Sequence, residues 1–364
     1  MSIFTRLCAL LLAFAAVTSA ARAADEPPAL AAAGLADKAA LRTLIDAAVK
    51  EGQVSYWDTI FQPETNDALT TEFKKQYGLP GSFKIGYTLS ATGGLVTRVD
   101  QELAAGKATI DVASVASLPW IYSHVRDGKI LQYDSPQYAH FSKAFGEGLG
   151  KKGYFAFVGA YVFVPMWNTE NLDFKGTSWI DVLGAVPEKR LSIGDATKSE
   201  TYRATYLVLR RLLGKEYFEK LAKMSPNIVL RSENVAERLV SGEDLMADGG
   251  MPTRAYQFNE RGAKLKFIIP KEGAVLLPEA TFILSDAPHP NAAKLWVDFV
   301  LSEAGQKIIV EHEALISGRD GFKSPLPDYA PAIDSIHAIP VDWEKVTLDD
   351  MQKARDEWAG LFMR

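Results

Sequence analysis

Five stretches of this chain place small, hydroxylated or cationic residues where a helix is expected to begin. They are Trp57-Asp58-Thr59, Ser90-Ala91-Thr92-Gly93-Gly94, Ser114 to Ser117, Ala196-Thr197-Lys198-Ser199-Glu200-Thr201, and Gly249-Gly250-Met251-Pro252-Thr253-Arg254. The chemistry such runs suit is oxyanion capture. The first N–H groups of a helix lack intrahelical partners, short hydroxyls add donors, and glycine lets a ligand approach the backbone. The same residue types also serve as ordinary caps and turns, so one junction alone says little. Five in one chain point to a binding cleft. Arg254 adds a planar fork suited to carboxylate or phosphate-like oxygens, and Tyr202 and Tyr256 are placed to add phenols.

Catalytic patterns are missing by comparison. The chain has no GxSxG, HExxH or GxxxxGK[ST] run. Glu311-His312-Glu313 is the one tight His/carboxylate cluster, and on a helix its members diverge, which predicts a solvated face. His124, His140, His289 and His337 are scattered. We therefore expect no enzyme, no metal site and no cofactor.

Among 364 residues, 40 Lys and Arg stand against 45 Asp and Glu, a net charge of −5 that disfavours nucleic acid or an anionic membrane as partner. A hydrophobic share of 48% with 23% charged residues is globular, and the length suggests about two domains. Residues 1–23 read as a secretory leader: Arg6, the apolar run Leu7 to Val17, and Ala21-Arg22-Ala23 as the cleavage site. The run is short for a membrane span. Cys8, the single cysteine, lies inside this leader, so the mature chain has no thiol for a disulfide or a nucleophile. The expected location is the periplasm.

The elements that position these junctions alternate regularly. After a lead-in at 24–36, expected to be mobile, three helix–strand units repeat, with strands at QVSYWD, SFKIGYTL and IDVASV and helices closed by Gly52, Gly78 and Gly106. A fourth helix starts near Ser117 and stops at Gly128. Alternation at this interval implies parallel strands with right-handed crossovers. Residues 154–168 read as one buried extended run. A second α/β series covers 191–269, with a helix from Glu200 closed by Gly214 and another from Lys215. GAVLLPEATFILS (273–285) is extended again. The two extended runs, side by side, would join two lobes as a hinge. Helices at 291–301 and 303–311 and a helical tail at 347–362 complete the chain.

With these motifs in place, the chain resembles the extracellular solute-binding proteins of ABC importers, in the ferric-iron-type branch. The resemblance rests on ATGGLVTRVDQELAAGKATIDV, VFVPMWNTENL, GDATKSETYRATYLVLRRLLG, PKEGAVLLPEATFILSDAPHPNAAKLWVDFVLSEAGQKII, PVDW and the later EW. It implies the two-lobed periplasmic binding protein fold of type II, an α/β architecture in which each lobe is a mixed sheet flanked by helices. Residues 24–160 with 279–312 would form lobe 1, 161–278 lobe 2, and 313–364 a C-terminal helical tail on the lobes. It further implies a cleft that closes on a ligand, an inner-membrane ABC permease as partner, no nucleic acid, and a monomer.

Ferric members carry adjacent tyrosines in the second lobe. Here the corresponding segment reads SGEDLMADGGMPTRAYQ, and none of the 13 tyrosines is adjacent to another. The expectation is therefore a small anionic solute, an organic acid, phosphonate or phosphate-bearing compound, with ferric ion as the alternative. The expected ligand-binding set is Trp57, Asp58, Thr59, Ala91, Thr92, Gly93, Ser114, Thr197, Ser199, Thr201, Tyr202, Met251, Thr253, Arg254 and Tyr256.

Overall fold

A computed structural model describes residues 26–363; the expected leader lies outside them. The lead-in expected to be mobile is instead ordered where described. Pro28–Ala32 form a short helix, α1, that buries Leu30. Pro27 sits so close to Gly78 that a Cβ on the glycine would come within 2.8 Å of its ring.

Apolar spacing builds the first lobe. Helix α2 (Leu35–Glu51) ends at Gly52, whose φ of 74° turns the chain into β1 (Gln53–Asp58). Then come α3 (Pro63–Tyr77), β2 (Lys84–Leu89), α4 (Thr92–Ala105), β3 (Val112–Val115), α5 (Leu118–Arg126) and the short α6 (Ser142–Gly146). The apolar run at 154–168, expected as one segment, is two strands of different sheets. They are β4 (Phe155–Val162) and β5 (Val164–Asn168), and the chain changes lobes at Phe163.

The second lobe holds β6 (Leu191–Gly194), α7 (Glu200–Lys223), β7 (Asn227–Val229), α8 (Ser232–Ser241), β8 (Met246–Gly250), α9 (Pro252–Asn259) and β9 (Leu265–Phe267). Helix α7 breaks at Gly214, whose φ of 77° no helical residue adopts. The chain then returns to the first sheet as β10 (Leu276–Ile283), followed by α10 (Pro290–Val300), α11 (Glu303–Glu313) and α12 (Leu348–Phe362).

Both sheets are mixed and share one plan. The first runs β2-β1-β3-β10-β4, with β1 parallel to β2 and β3, and β10 antiparallel to both its neighbours. The second runs β7-β6-β8-β5-β9, again with three parallel strands and then an antiparallel crossing strand. The two crossings lie side by side, since Leu276 pairs with Val162 at the end of β4. In both lobes the carboxyl ends of the parallel strands lead into helix starts, where ligands bind in open α/β sheets.

Aromatic side chains dominate the first core. Trp296 on α10 meets Phe73 at 5.0 Å and Tyr56 at 5.2 Å between ring centroids. The segment after α11, expected as a helical tail, is mostly irregular until α12. Trp343 is buried beside α5, and α12 lies along α7, with Arg210 paired to Glu357 at 2.9 Å. Thr347 opens α12 with a capping box: its hydroxyl accepts from the Asp350 N–H at 3.0 Å, and the Asp350 carboxylate accepts from the Thr347 N–H at 3.0 Å. Thr347→Ala is expected to cost about 1 kcal/mol, read as a lower midpoint in chemical denaturation.

Candidate functional site

The helix starts of the two lobes converge on one cleft of about 480 Å³. Ala91, Ser199, Arg231 and Met251, the residues immediately before α4, α7, α8 and α9, all line it. Only Ser199 caps its helix, accepting from the Tyr202 N–H at 3.3 Å. The other three helices begin without a side-chain cap. First-turn N–H groups of α4 and α8 are open to a ligand; on α9 Pro252 has none and the Arg254 N–H bonds the Met251 carbonyl at 2.8 Å, which leaves that of Thr253. The helix dipoles favour negative charge at all these ends. On α4 the first turn contains Gly93 and Gly94, which add no side chain of their own to screen the backbone.

Three cations join these donors, and no acidic side chain does. Arg254 donates from Nε to the Ser232 hydroxyl at 3.2 Å and from Nη1 to Gln257 Oε1 at 2.6 Å. The bonds hold the guanidinium in place and leave Nη2 without a protein partner. Burial lowers its pKa from the ordinary arginine value, opposed by Glu233 and Glu313. Lys198 and Arg231 are the other two; Arg231 reaches Glu233 only at 3.9 Å.

The floor is aromatic. Tyr202 stacks on Phe163 at 4.2 Å and 23° between rings, and lies over Gly194, where a Cβ would meet its ring at 2.2 Å. Its hydroxyl faces the Gly249 carbonyl at 3.5 Å. Tyr161 enters from β4 beside the Thr201 hydroxyl. Burial raises the pKa of both phenols above the ordinary tyrosine value.

Behind the wall of the first lobe lie three buried carboxyls. Asp58 accepts from the N–H groups of Ile60 at 2.7 Å and Phe61 at 2.6 Å, and from the Tyr56 hydroxyl at 2.9 Å. Burial pushes it up to about 7. Glu279 accepts the Thr59 hydroxyl at 2.5 Å through Oε1, while its Oε2 is buried without a partner. Burial, and then the charge of Asp58, raise it well above the carboxylate range. Glu313 accepts from the Gln62 N–H at 2.7 Å and the Thr65 hydroxyl at 2.5 Å, and burial raises it as well. This corrects the expectation for Glu311-His312-Glu313: Glu311 and His312 are exposed, but Glu313 turns fully inward.

Of the residues expected from the sequence, Thr59, Ala91, Thr92, Gly93, Ser199, Thr201, Tyr202, Met251 and Arg254 lie on this lining. The others do not. Trp57 is half-buried within β1, and Asp58 is fully enclosed beneath Thr59. Ser114 is buried in β3, its hydroxyl 2.9 Å from that of Tyr56. Thr197 is turned back onto Asp195, which accepts from its N–H at 2.8 Å and its hydroxyl at 2.6 Å. Thr253 and Tyr256 sit on the face of α9 turned to α11, donating to the carbonyls of Ala314 and Glu311. Arg254, one residue round the helix from Thr253, points the other way. Arg231 and Ser232 were missed, although the strand-to-helix rule applies to them too; the strand before them is only three residues long. Tyr161 and Phe163 belong to the crossing, where no junction rule looks.

Among the described residues, no group of three or more His, Cys, Asp or Glu is disposed to hold a metal ion. No described helix is long and apolar enough to cross a membrane. Solved structures share the arrangement. A substrate binding protein of an ABC transporter from Agrobacterium tumefaciens is similar with a TM-score of 0.72 at 14% identity, over 85% of this chain and 94% of that one. The periplasmic binding protein AfuA from Actinobacillus pleuropneumoniae, with fructose-6-phosphate bound, gives 0.71 at 20% over 85% and 98%. Iron-bound HitA from Pseudomonas aeruginosa gives 0.66 at 18% over 85% and 98%. These likenesses are of fold. No curated protein sequence matches the chain. Residues 107–334, from the end of the first lobe's third helix–strand unit through all of the second lobe, match the bacterial extracellular solute-binding proteins. Two lobes with facing helix starts are what such a protein needs to enclose a solute, and the chain belongs to that family.

Proposed function

We propose that the protein is the substrate-binding subunit of an ABC importer and captures a small anionic solute between its lobes for delivery to an inner-membrane permease. It would work in the periplasm once the leader is removed. The solute is an organic acid, a phosphonate or a phosphate ester. One observation carries this reading: four helix starts and three cations line the same cleft, and no carboxylate does. Rigid N–H donors select an oxyanion by geometry, and the Arg254 fork adds a charge-assisted contact. The fructose-6-phosphate of AfuA is a ligand of this chemical kind in a similar fold.

The ferric alternative would draw on Tyr161 and Tyr202. The lining offers no carboxylate to join them, since the three nearby carboxyls are sealed behind the wall. A thermal-shift panel separates the two readings: fructose 6-phosphate, methylphosphonate, citrate, inorganic phosphate and iron(III) chloride. At a hundredfold Kd a bound probe stabilises by about 2.7 kcal/mol. Stabilisation by organic anions with no visible colour is expected. A response to iron alone, with a red-orange tyrosinate band, would overturn the proposal.

A further inference from the structure

Charge is divided unequally between the two walls of the cleft. Lys198, Arg231 and Arg254 all belong to the second lobe, as do three of the four helix starts. The first lobe supplies Thr59, Ile60, Leu89, Ser90 and the start of α4, with no charged side chain. Directly behind that wall stand Asp58, Glu279 and Glu313. Ionised or protonated, they offer no positive charge to a ligand. A second anionic group pressed against this side would lose its water with no cation to pair it, and an unpaired buried charge is strongly unfavourable.

The same wall favours another kind of group. Thr59 gives its hydroxyl hydrogen to Glu279, and Ser90 turns its own toward the Ala91 carbonyl at 3.3 Å. Both oxygens can then only accept from a ligand, so they suit O–H or N–H donors. Leu89 and Leu230, 44% and 57% exposed, line the cleft from opposite lobes and suit the carbon skeleton between such groups. The space is too large for a bare oxyanion: 480 Å³ is about sixteen water volumes at roughly 30 Å³ each.

We infer that the solute is a one-headed anion, its single phosphate, phosphonate or carboxylate held by the second lobe and an uncharged body bearing O–H or N–H donors laid against the first. This rests on the anion reading above and narrows it. Dicarboxylates and bisphosphates are disfavoured because the first wall has no cation for a second charge, not by size.

Matched probes test it by titration calorimetry: glycerol 3-phosphate against 3-phosphoglycerate, fructose 6-phosphate against fructose 1,6-bisphosphate, and gluconate against glucarate. In each pair that binds, the one-headed member is expected to bind at least about tenfold more tightly. A two-headed member binding as well as its partner would overturn the inference and leave the anion reading standing. If no member of any pair binds, and methylphosphonate at millimolar concentration does not either, both readings fall. Leu89→Lys places a cation on the first wall at an exposed position. It is expected to narrow the preference at least about fivefold, and an unchanged preference in a variant with native melting would also overturn the inference.

Discussion

Arg254→Ala is expected to weaken anion binding about ten- to a hundredfold, because a charge-assisted hydrogen bond to a bound oxyanion is worth roughly 1.5–3 kcal/mol. The guanidinium is held on the cleft lining by Ser232 and Gln257 before a ligand arrives, and these bonds do not use Nη2. Arg254→Lys is expected to recover only part of the loss, since an ammonium cannot keep the Ser232 and Gln257 bonds and also present a fork. Gln257 has a second contact, donating toward Glu313 at 3.4 Å, which ties the arginine's support to the first lobe. Titration calorimetry on the best-binding anion of the panel reads these differences. Native affinity in the alanine variant would remove Arg254 from the site.

The protein is expected to melt several degrees higher at pH 5.5 than at pH 7.5. Burial pushes Asp58, Asp248 and Asp298 each up to about 7, against an ordinary aspartate value of 3.8. Between those two values the unfolded chain has lost protons that the folded chain keeps, so acidification favours the folded state. Each group's contribution is fully present below about pH 4 and is lost as pH rises through 7. Over three units it amounts to about 4 kcal/mol per group, of which about 2 kcal/mol falls between pH 5.5 and 7.5. Carboxyls held low, such as Glu102 and Asp320, titrate below this window and do not oppose the trend. Asp248→Asn keeps an acceptor for the Tyr217 hydroxyl and is expected to flatten the slope. A melting temperature that is flat or falls on acidification would contradict the assignment.

Much of the fold is legible in the sequence because its signals are local. Glycine closes α2, α3 and α4 where the apolar period ends, and β1 alternates buried with less buried residues. The division of 154–168 between two sheets is not local. Nothing in YFAFVGAYVFVPMWN marks Phe163 as the crossing, since every residue from Phe155 to Asn168 is buried in one sheet or the other. The cleft is legible to the same depth. A junction rule finds the helix starts but not which face of α9 a residue occupies, and so it groups Thr253 and Tyr256 with Arg254. The acids behind the first wall are further from reach: Glu313 bonds the backbone of Gln62 from 251 positions away, and only the folded chain brings them together.

The most direct measurement is a crystal structure of the protein grown with the anion that stabilises it most in the thermal panel. Its phosphate or carboxylate is expected among the starts of α7, α8 and α9, within hydrogen-bond distance of Arg254 Nη2, with the uncharged remainder against Thr59 and Leu89. Anion density outside the cleft, or a metal ion bridging Tyr161 and Tyr202, would contradict it.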